Sequence, residues 1–308
     1  MGAANAPGSG AGTGAGSGSG SGPARPSWPQ VFLGCASPRE DADVVLFGAP
    51  FDGTVSYRPG SRFAPMQMRV ESMGFETYSP SRDADLEDRA VHDAGDLELA
   101  PGNAAAAISR IEATATRIFE EGKRPFLVGG EHLVTLGVLR AAFSAHPALH
   151  VVHFDAHSDT RADYLGEPLS HACVMRRAHD LLGDGRIHSF GIRSGTREEY
   201  EWSRHHLDLH RDSLADVADV CRRLAAEAVP VYFTVDLDVL DPSAFPGTGT
   251  PEPGGVSFRE LQAAFDAIDA AHLHIIGADL VELAPQLDAT GISTAAACRA
   301  LREMLLLM

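Results

Sequence analysis

The chain has 308 residues, 44% of them apolar, enough for one large or two modest domains with a packed core. A net charge of −17, with Lys123 the only lysine, excludes the basic face that a nucleic-acid partner needs and is compatible with a small cationic substrate. No apolar run approaches the ~20 residues of a membrane span, and Cys35, Cys173, Cys221 and Cys298 are scattered without a Cys-x-x-Cys pair, as in a reduced cytoplasmic protein.

Residues 1–28 form a low-complexity Gly/Ala/Ser tail with nothing to bury, so disorder is expected there and a single catalytic domain over 29–308. The tail has neither a basic start nor an apolar segment and does not read as a secretory signal. Residues 44–47 read as a strand ending at Gly48, and the Ala-rich stretch 103–120 as a helix leading to a strand over 125–128. Next come a strand over 149–154, a helix over about 170–182, a short strand over 187–190, a helix near 213–227 and a strand over 231–235. A helix over 258–270, a strand over 274–277 and an Ala-rich C-terminal helix complete the series. Alternating helices and continuously apolar strands predict an α/β protein, a three-layer α/β/α sandwich with a central parallel sheet. Ligands on such sheets collect at the carboxyl ends of strands.

Three predicted strands end in polar clusters. The first is Gly129-Gly130-Glu131-His132, where glycines permit close backbone approach and His132 opens a helix. The second is His153-Phe154-Asp155-Ala156-His157-Ser158-Asp159, and the third Asp236-Leu237-Asp238 followed by Asp241-Pro242. Period-two geometry puts Asp155, His157 and Asp159 on one side of an extended segment, and Asp236 with Asp238 likewise. Four buried carboxylates would repel one another severely unless cations neutralised them. The donors are too many for one tetrahedral zinc and include no thiolate, which favours two oxygen-loving ions such as manganese. Read alone, Asp241 before Pro242 is a turn former, His153 a packed core histidine, and Glu131 a favourable charge at a helix N-terminus.

These three motifs, in order and complete, strongly resemble the signatures of the ureohydrolase family, the arginases, agmatinases and their relatives, from about Asp43 to the C-terminus. The resemblance implies two Mn²⁺ per subunit. His132, Asp155, Asp159 and Asp236 would hold one, and Asp155, His157, Asp236 and Asp238 the other, with Asp155 and Asp236 bridging. It implies a hydroxide shared by ions about 3.5–4 Å apart that attacks a guanidinium carbon and releases urea. By the same matching, His171 corresponds to the proton-transfer histidine, Glu282 to the glutamate that anchors the guanidinium, and Thr250 to a pocket threonine. A trimer or hexamer is likewise implied.

Arginases hold an α-carboxylate and α-amine with Asn and Ser in the loop after the second cluster, whereas here residues 160–169 contain neither. Asp163 and Glu167 in that loop would repel a carboxylate and welcome an amine, while Arg161 acts the other way. Stretches such as Phe47-Gly48-Ala49-Pro50-Phe51-Asp52-Gly53-Thr54 and Gly249-Thr250-Pro251-Glu252-Pro253-Gly254-Gly255 resemble the agmatinases among these enzymes. The expected reaction is therefore agmatine plus water to putrescine plus urea. The alternatives are a guanidinobutyrase or guanidinopropionase, a single-zinc deacetylase-like hydrolase, and a non-catalytic assembly subunit.

Overall fold

A computed structural model describes residues 31–308; the expected tail over residues 1–28 lies outside the described residues. Eight strands form one sheet: β1 (Val44–Ala49), β4 (Val91–Asp96), β5 (Arg124–Gly129), β6 (His150–Phe154), β7 (Ile187–Ile192), β8 (Asp208–Arg211), β9 (Val231–Asp236) and β10 (Ile275–Val281). Every pairing is parallel, in the order β4-β1-β5-β10-β9-β6-β7-β8. A two-stranded antiparallel ribbon, β2 (Tyr78–Ser79) and β3 (Ala84–Asp85), lies outside it.

Helices cover both faces. Residues of α1 (Ala64–Ser72), α6 (Val217–Ala226), α7 (Phe258–Ala271) and α8 (Ile292–Leu306) pack into one core with Leu46, Phe126, Phe154 and Phe233. Residues of α2 (Ala104–Glu120), α3 (Thr135–Ala145) and α4 (Val174–Leu182) pack into the other with Val45, Leu127, Val151 and Tyr232. The expected three-layer sandwich is the observed fold. Successive strand residues point to opposite faces, so a strand buried on both is largely apolar, as Val44–Ala49 is throughout and Ile275–Val281 is apart from the hydrogen-bonded Asp279.

Helix ends obey local chemistry. Asn103 caps α2 by accepting from Ala106 N, and Ser257 with Glu260 forms a full capping box on α7. The elements that the pattern does not reveal include α1, α5 (Arg197–His206) and the edge strands β4 and β8. Val91-His92-Asp93-Ala94-Gly95-Asp96 and Asp208-Leu209-His210-Arg211 are edge strands, only partly buried and rich in polar residues, so they lack the apolar run that marks the central strands.

Candidate active site

The four central strands, β5, β10, β9 and β6, are consecutive neighbours, and their carboxyl ends deliver the polar clusters to one place. After β5 the backbone turns at Gly130, where a Cβ would lie 1.8 Å from Phe51 O. That contact lets Glu131 N donate to Phe51 O and brings His132 under the sheet's rim. His132 Nε2 faces Thr234 Oγ1 at 3.1 Å, and that hydroxyl donates to Asp279 Oδ1 at 2.6 Å. The hydroxyl proton is thereby committed, so Nε2 carries a hydrogen and Nδ1 is the nitrogen turned toward the carboxylates. Nδ1 points at carboxylate oxygens of Asp155, Asp159 and Asp236, 3.0, 3.1 and 3.4 Å away.

The second and third clusters converge by turning, which corrects the expectation of an extended, alternating segment. β6 stops at Phe154, and Asp155 Oδ1 accepts the His157 amide at 2.6 Å. Asp159 takes a left-handed φ of 52°, a conformation that side-chain-bearing residues adopt only under local constraint. Asp236 ends β9 and accepts the Asp238 amide at 2.9 Å, so both carboxylates face the same side from a tight turn. His157 Nδ1 lies 2.9 Å from Asp238 Oδ2 and 3.6 Å from Asp155 Oδ1. The six residues named from sequence thus fall into two groups that meet at Asp155. Asp155 is also held from behind by His153, whose Nε2 is 2.9 Å from Oδ2 and whose Nδ1 reaches Ser189 Oγ. His153 is fully buried, as expected, but it orients a site carboxylate as well as packing.

Electrostatics describe the same crowding. Burial, then Asp238, Asp155 and Glu282, push Asp236 well above the usual carboxylate range, and burial with Asp155 raises Asp159 to about 7. Burial would also raise Asp155, but hydrogen bonds from His132, His153 and His157 hold it well below its ordinary value. Burial opposes the charge of His132 and His157, yet their carboxylate neighbours drive both well above theirs. Such a set of buried oxygens and imidazole nitrogens calls for more positive charge than two histidines supply. It fits a pair of oxygen-preferring divalent ions.

Around this centre lies a cavity of about 280 Å³ lined by His157, Asp159, Asp236 and Asp238 together with His171, Glu282 and Thr250. All three helper residues expected from the motifs therefore face it. Glu282 follows β10 in a left-handed conformation, φ 66°, and its Oε1 accepts the His132 amide at 2.7 Å. Thr250 Oγ1 is 3.4 Å from Asp238 Oδ2. Thr54 and Glu131 were not foreseen as partners of His171. Thr54 Oγ1 donates to Glu131 Oε1 at 2.6 Å and accepts the His171 amide at 3.0 Å. Burial raises Glu131 to about 7 despite the two donors of Thr54, and burial lowers His171 to about 4. The only sequence signal was a threonine in a loop after β1, which cannot announce a partner 117 residues away.

The loop after the second cluster departs from expectation. Asp163 and Glu167 do not line this cavity; each carboxylate accepts an amide of its own loop, Gly166 N and Leu169 N. Besides Asp159, Asp236, Asp238 and Glu282, the acid that lines the cavity is Glu199, which also completes the capping box of α5 with Thr196. Arg161 lines the cavity too, 3.4 Å from Glu199 and 5.1 Å from the Tyr164 ring centre. Asp241 is the turn former expected, accepting from Ser243, Gly254 and Gly255, and these bonds hold it at about 2.

Parallel strands that deliver imidazoles and carboxylates to the floor of one open-mouthed cavity have the arrangement of a metal-dependent enzyme centre. The arginase family profile matches residues 42–307. The agmatinase of Bacillus subtilis (strain 168) is 45% identical over 280 residues, covering 90% of this chain and 96% of that one. The guanidinobutyrase of Pseudomonas aeruginosa is 35% identical over 276 residues, 85% of each. The crystal structure of agmatine ureohydrolase of Thermoplasma volcanium superposes with a TM-score of 0.81 at 34% identity, covering 90% of this chain and 94% of that one. The chain belongs to the arginase family, and within it the chain is a ureohydrolase.

Proposed function

We propose that the enzyme hydrolyses agmatine to putrescine and urea. The observation that carries this reading is the meeting of six metal-type donors with Glu282, His171 and Thr250 around one cavity, in a chain so similar to agmatinases. In this reading His132, Asp155, Asp159 and Asp236 would hold one Mn²⁺, and Asp155, His157, Asp236 and Asp238 the other. When bound, the pair supplies Lewis-acid charge and lowers the pKa of water enough to make it a nucleophile near neutral pH.

The chain's own groups do the rest. Glu282 is a buried carboxylate whose charge is unfavourable until a cation arrives, so a guanidinium that donates two N–H bonds to it is bound and oriented at once. Water adds to the guanidinium carbon, the bond from that carbon to the chain nitrogen breaks, and a proton must reach the departing amine. His171, neutral through burial and fixed by Thr54, accepts a proton from the attacking water and passes it to that nitrogen. Thr250 offers a hydroxyl to the oxygen being added. Glu199 puts negative charge on the wall, which suits the free amine of agmatine.

Arg161 on the same wall favours a second reading, a guanidino acid such as guanidinobutyrate. Urea release from agmatine, arginine and guanidinobutyrate by Mn²⁺-reconstituted protein decides between them. Agmatine should have the highest kcat/KM, and a guanidino acid that outruns it overturns the assignment. The proposal extends to a cytoplasmic enzyme assembled as a homotrimer or homohexamer, which light scattering of the purified protein tests. No described helix is long and apolar enough to cross a membrane.

A further inference from the structure

Away from the cavity, the C-terminal ends of α4 and α5 meet in a cluster that the hydrolytic chemistry does not use. His179 Nε2 and His206 Nδ1 both reach Oδ1 of Asp184, at 2.8 and 2.7 Å, and the two rings stand edge to face with centres 5.0 Å apart. One ligand atom from each residue lies within 4.8 Å of the other two. His179 Nδ1 is buried without a partner, so that ring makes its polar contact through Nε2 alone. Asp184 sits in a turn between Gly183 and Gly185, with its side chain 68% exposed. It can move the few tenths of an ångström that separate shared hydrogen bonds from coordination.

Two imidazoles and a carboxylate, open to water on the remaining side, make a three-ligand site for a borderline divalent cation. The donor set differs from the oxygen-rich cavity floor and selects zinc, nickel or copper over manganese. We propose that His179, Asp184 and His206 form a second cation site, for a zinc-class ion, that clasps α4 to α5.

The position of the clasp gives it a consequence. The turn before α4 carries His171, and α5 opens at Thr196 and Glu199, all of which line the cavity. Arg176 stacks on Trp202 at 4.1 Å between the same two helices, and Trp202 lies 4.4 Å from the His206 ring and 4.8 Å from that of His179. An ion in the clasp therefore braces one wall of the cavity from its far end, and Trp202 is a built-in reporter of its arrival.

The test titrates Ni²⁺ into the full-length protein while following tryptophan emission and, by calorimetry, the ions bound per chain. Nickel should quench the emission with saturation, and Trp202→Phe should abolish that quenching, leaving only Trp28. His206→Gln and His179→Gln should each bind one fewer nickel per chain at parental saturation, with affinity at the clasp weakened on the order of 100-fold. Both should keep parental urea release with Mn²⁺. Equal nickel stoichiometry and equal quenching in the parent and both variants would overturn the clasp. Because the readout is a difference between parent and variant, it stands whatever the outcome of the substrate panel.

Discussion

His171 shows how much of its behaviour is set by side chains it never adjoins in sequence. Its backbone is tethered to Thr54, which is tied in turn to Glu131, so the histidine proposed to transfer the proton is held by a hydroxyl from a different loop. Thr54→Val keeps the volume but deletes both bonds, and the predicted result is a ~10-fold or larger loss of kcat with manganese content unchanged. Thr54→Ser should recover most of it. His171→Ala should cost on the order of 10²-fold in kcat, again with full metal; parental turnover in His171→Ala would remove that residue from the mechanism. Thr234 plays the corresponding part for His132. Its hydroxyl links the ring to Asp279, which also accepts from Tyr232 at 2.7 Å. Thr234→Val frees the tautomer, and Mn²⁺ affinity measured by equilibrium dialysis should fall ~10–100-fold, with activity returning at high manganese. Unchanged affinity would mean that the ring is held by its carboxylate neighbours alone.

At the scale of elements, the edge strand β4 is held by a charge pair in addition to its single core residue, Val91. Arg69 of α1 sends Nε and Nη2 to Asp93 at 2.7 and 2.8 Å and also meets Asp96. Arg69 and Asp93 are 7% and 5% exposed, so neither is screened by water. Arg69→Met leaves the Asp93 charge buried, and a loss of about 3–5 kcal/mol is expected in equilibrium urea denaturation. Arg69→Met with Asp93→Leu should recover part of it, because the unpaired charge goes too. A second tether works on the catalytic side. The Arg193 guanidinium donates to the carbonyls of Asp238 and Glu252 at 2.7 and 2.8 Å, stitching the turn that carries Asp238 to the loop beyond Thr250. Neither tether shows in a periodicity pattern, since each joins an arginine in one element to groups far along the chain.

For the molecule as a whole, the floor of the cavity is a concentration of negative charge that the fold tolerates and a cation relieves. Any ligand that binds only the folded state stabilises it by RT ln(1 + [L]/Kd), about 2.7 kcal/mol at a hundredfold excess over Kd. Removing metal with a chelator should therefore lower Tm, and added Mn²⁺ should restore it. A Tm indifferent to chelation and to manganese would contradict the proposed pair. The same floor makes the empty protein's stability depend on pH. Burial holds the Asp236 carboxyl well above its unfolded value, so its penalty is absent in acid and grows as pH rises through the unfolded carboxylate range.

The alternation of apolar strands and helices was enough to read the parallel sandwich from the chain, and three polar motifs at strand ends singled out the six donor-type residues proposed as ligands. His171, Glu282 and Thr250, by contrast, came only from the family resemblance. The sandwich and the donors are legible because a strand covered on both faces is largely apolar, so a cluster of charge at its end stands out. Tertiary structure alone decided the rest. It made β5, β10, β9 and β6 neighbours, bent Asp159 and Glu282 into left-handed turns, and set Thr54 beneath His171 and Glu199 on the wall in place of Asp163 and Glu167. Those outcomes depend on which distant backbone or side-chain group satisfies each buried donor and acceptor. That partnership is settled only when the sheet has closed its order, and no local spacing of residues encodes it.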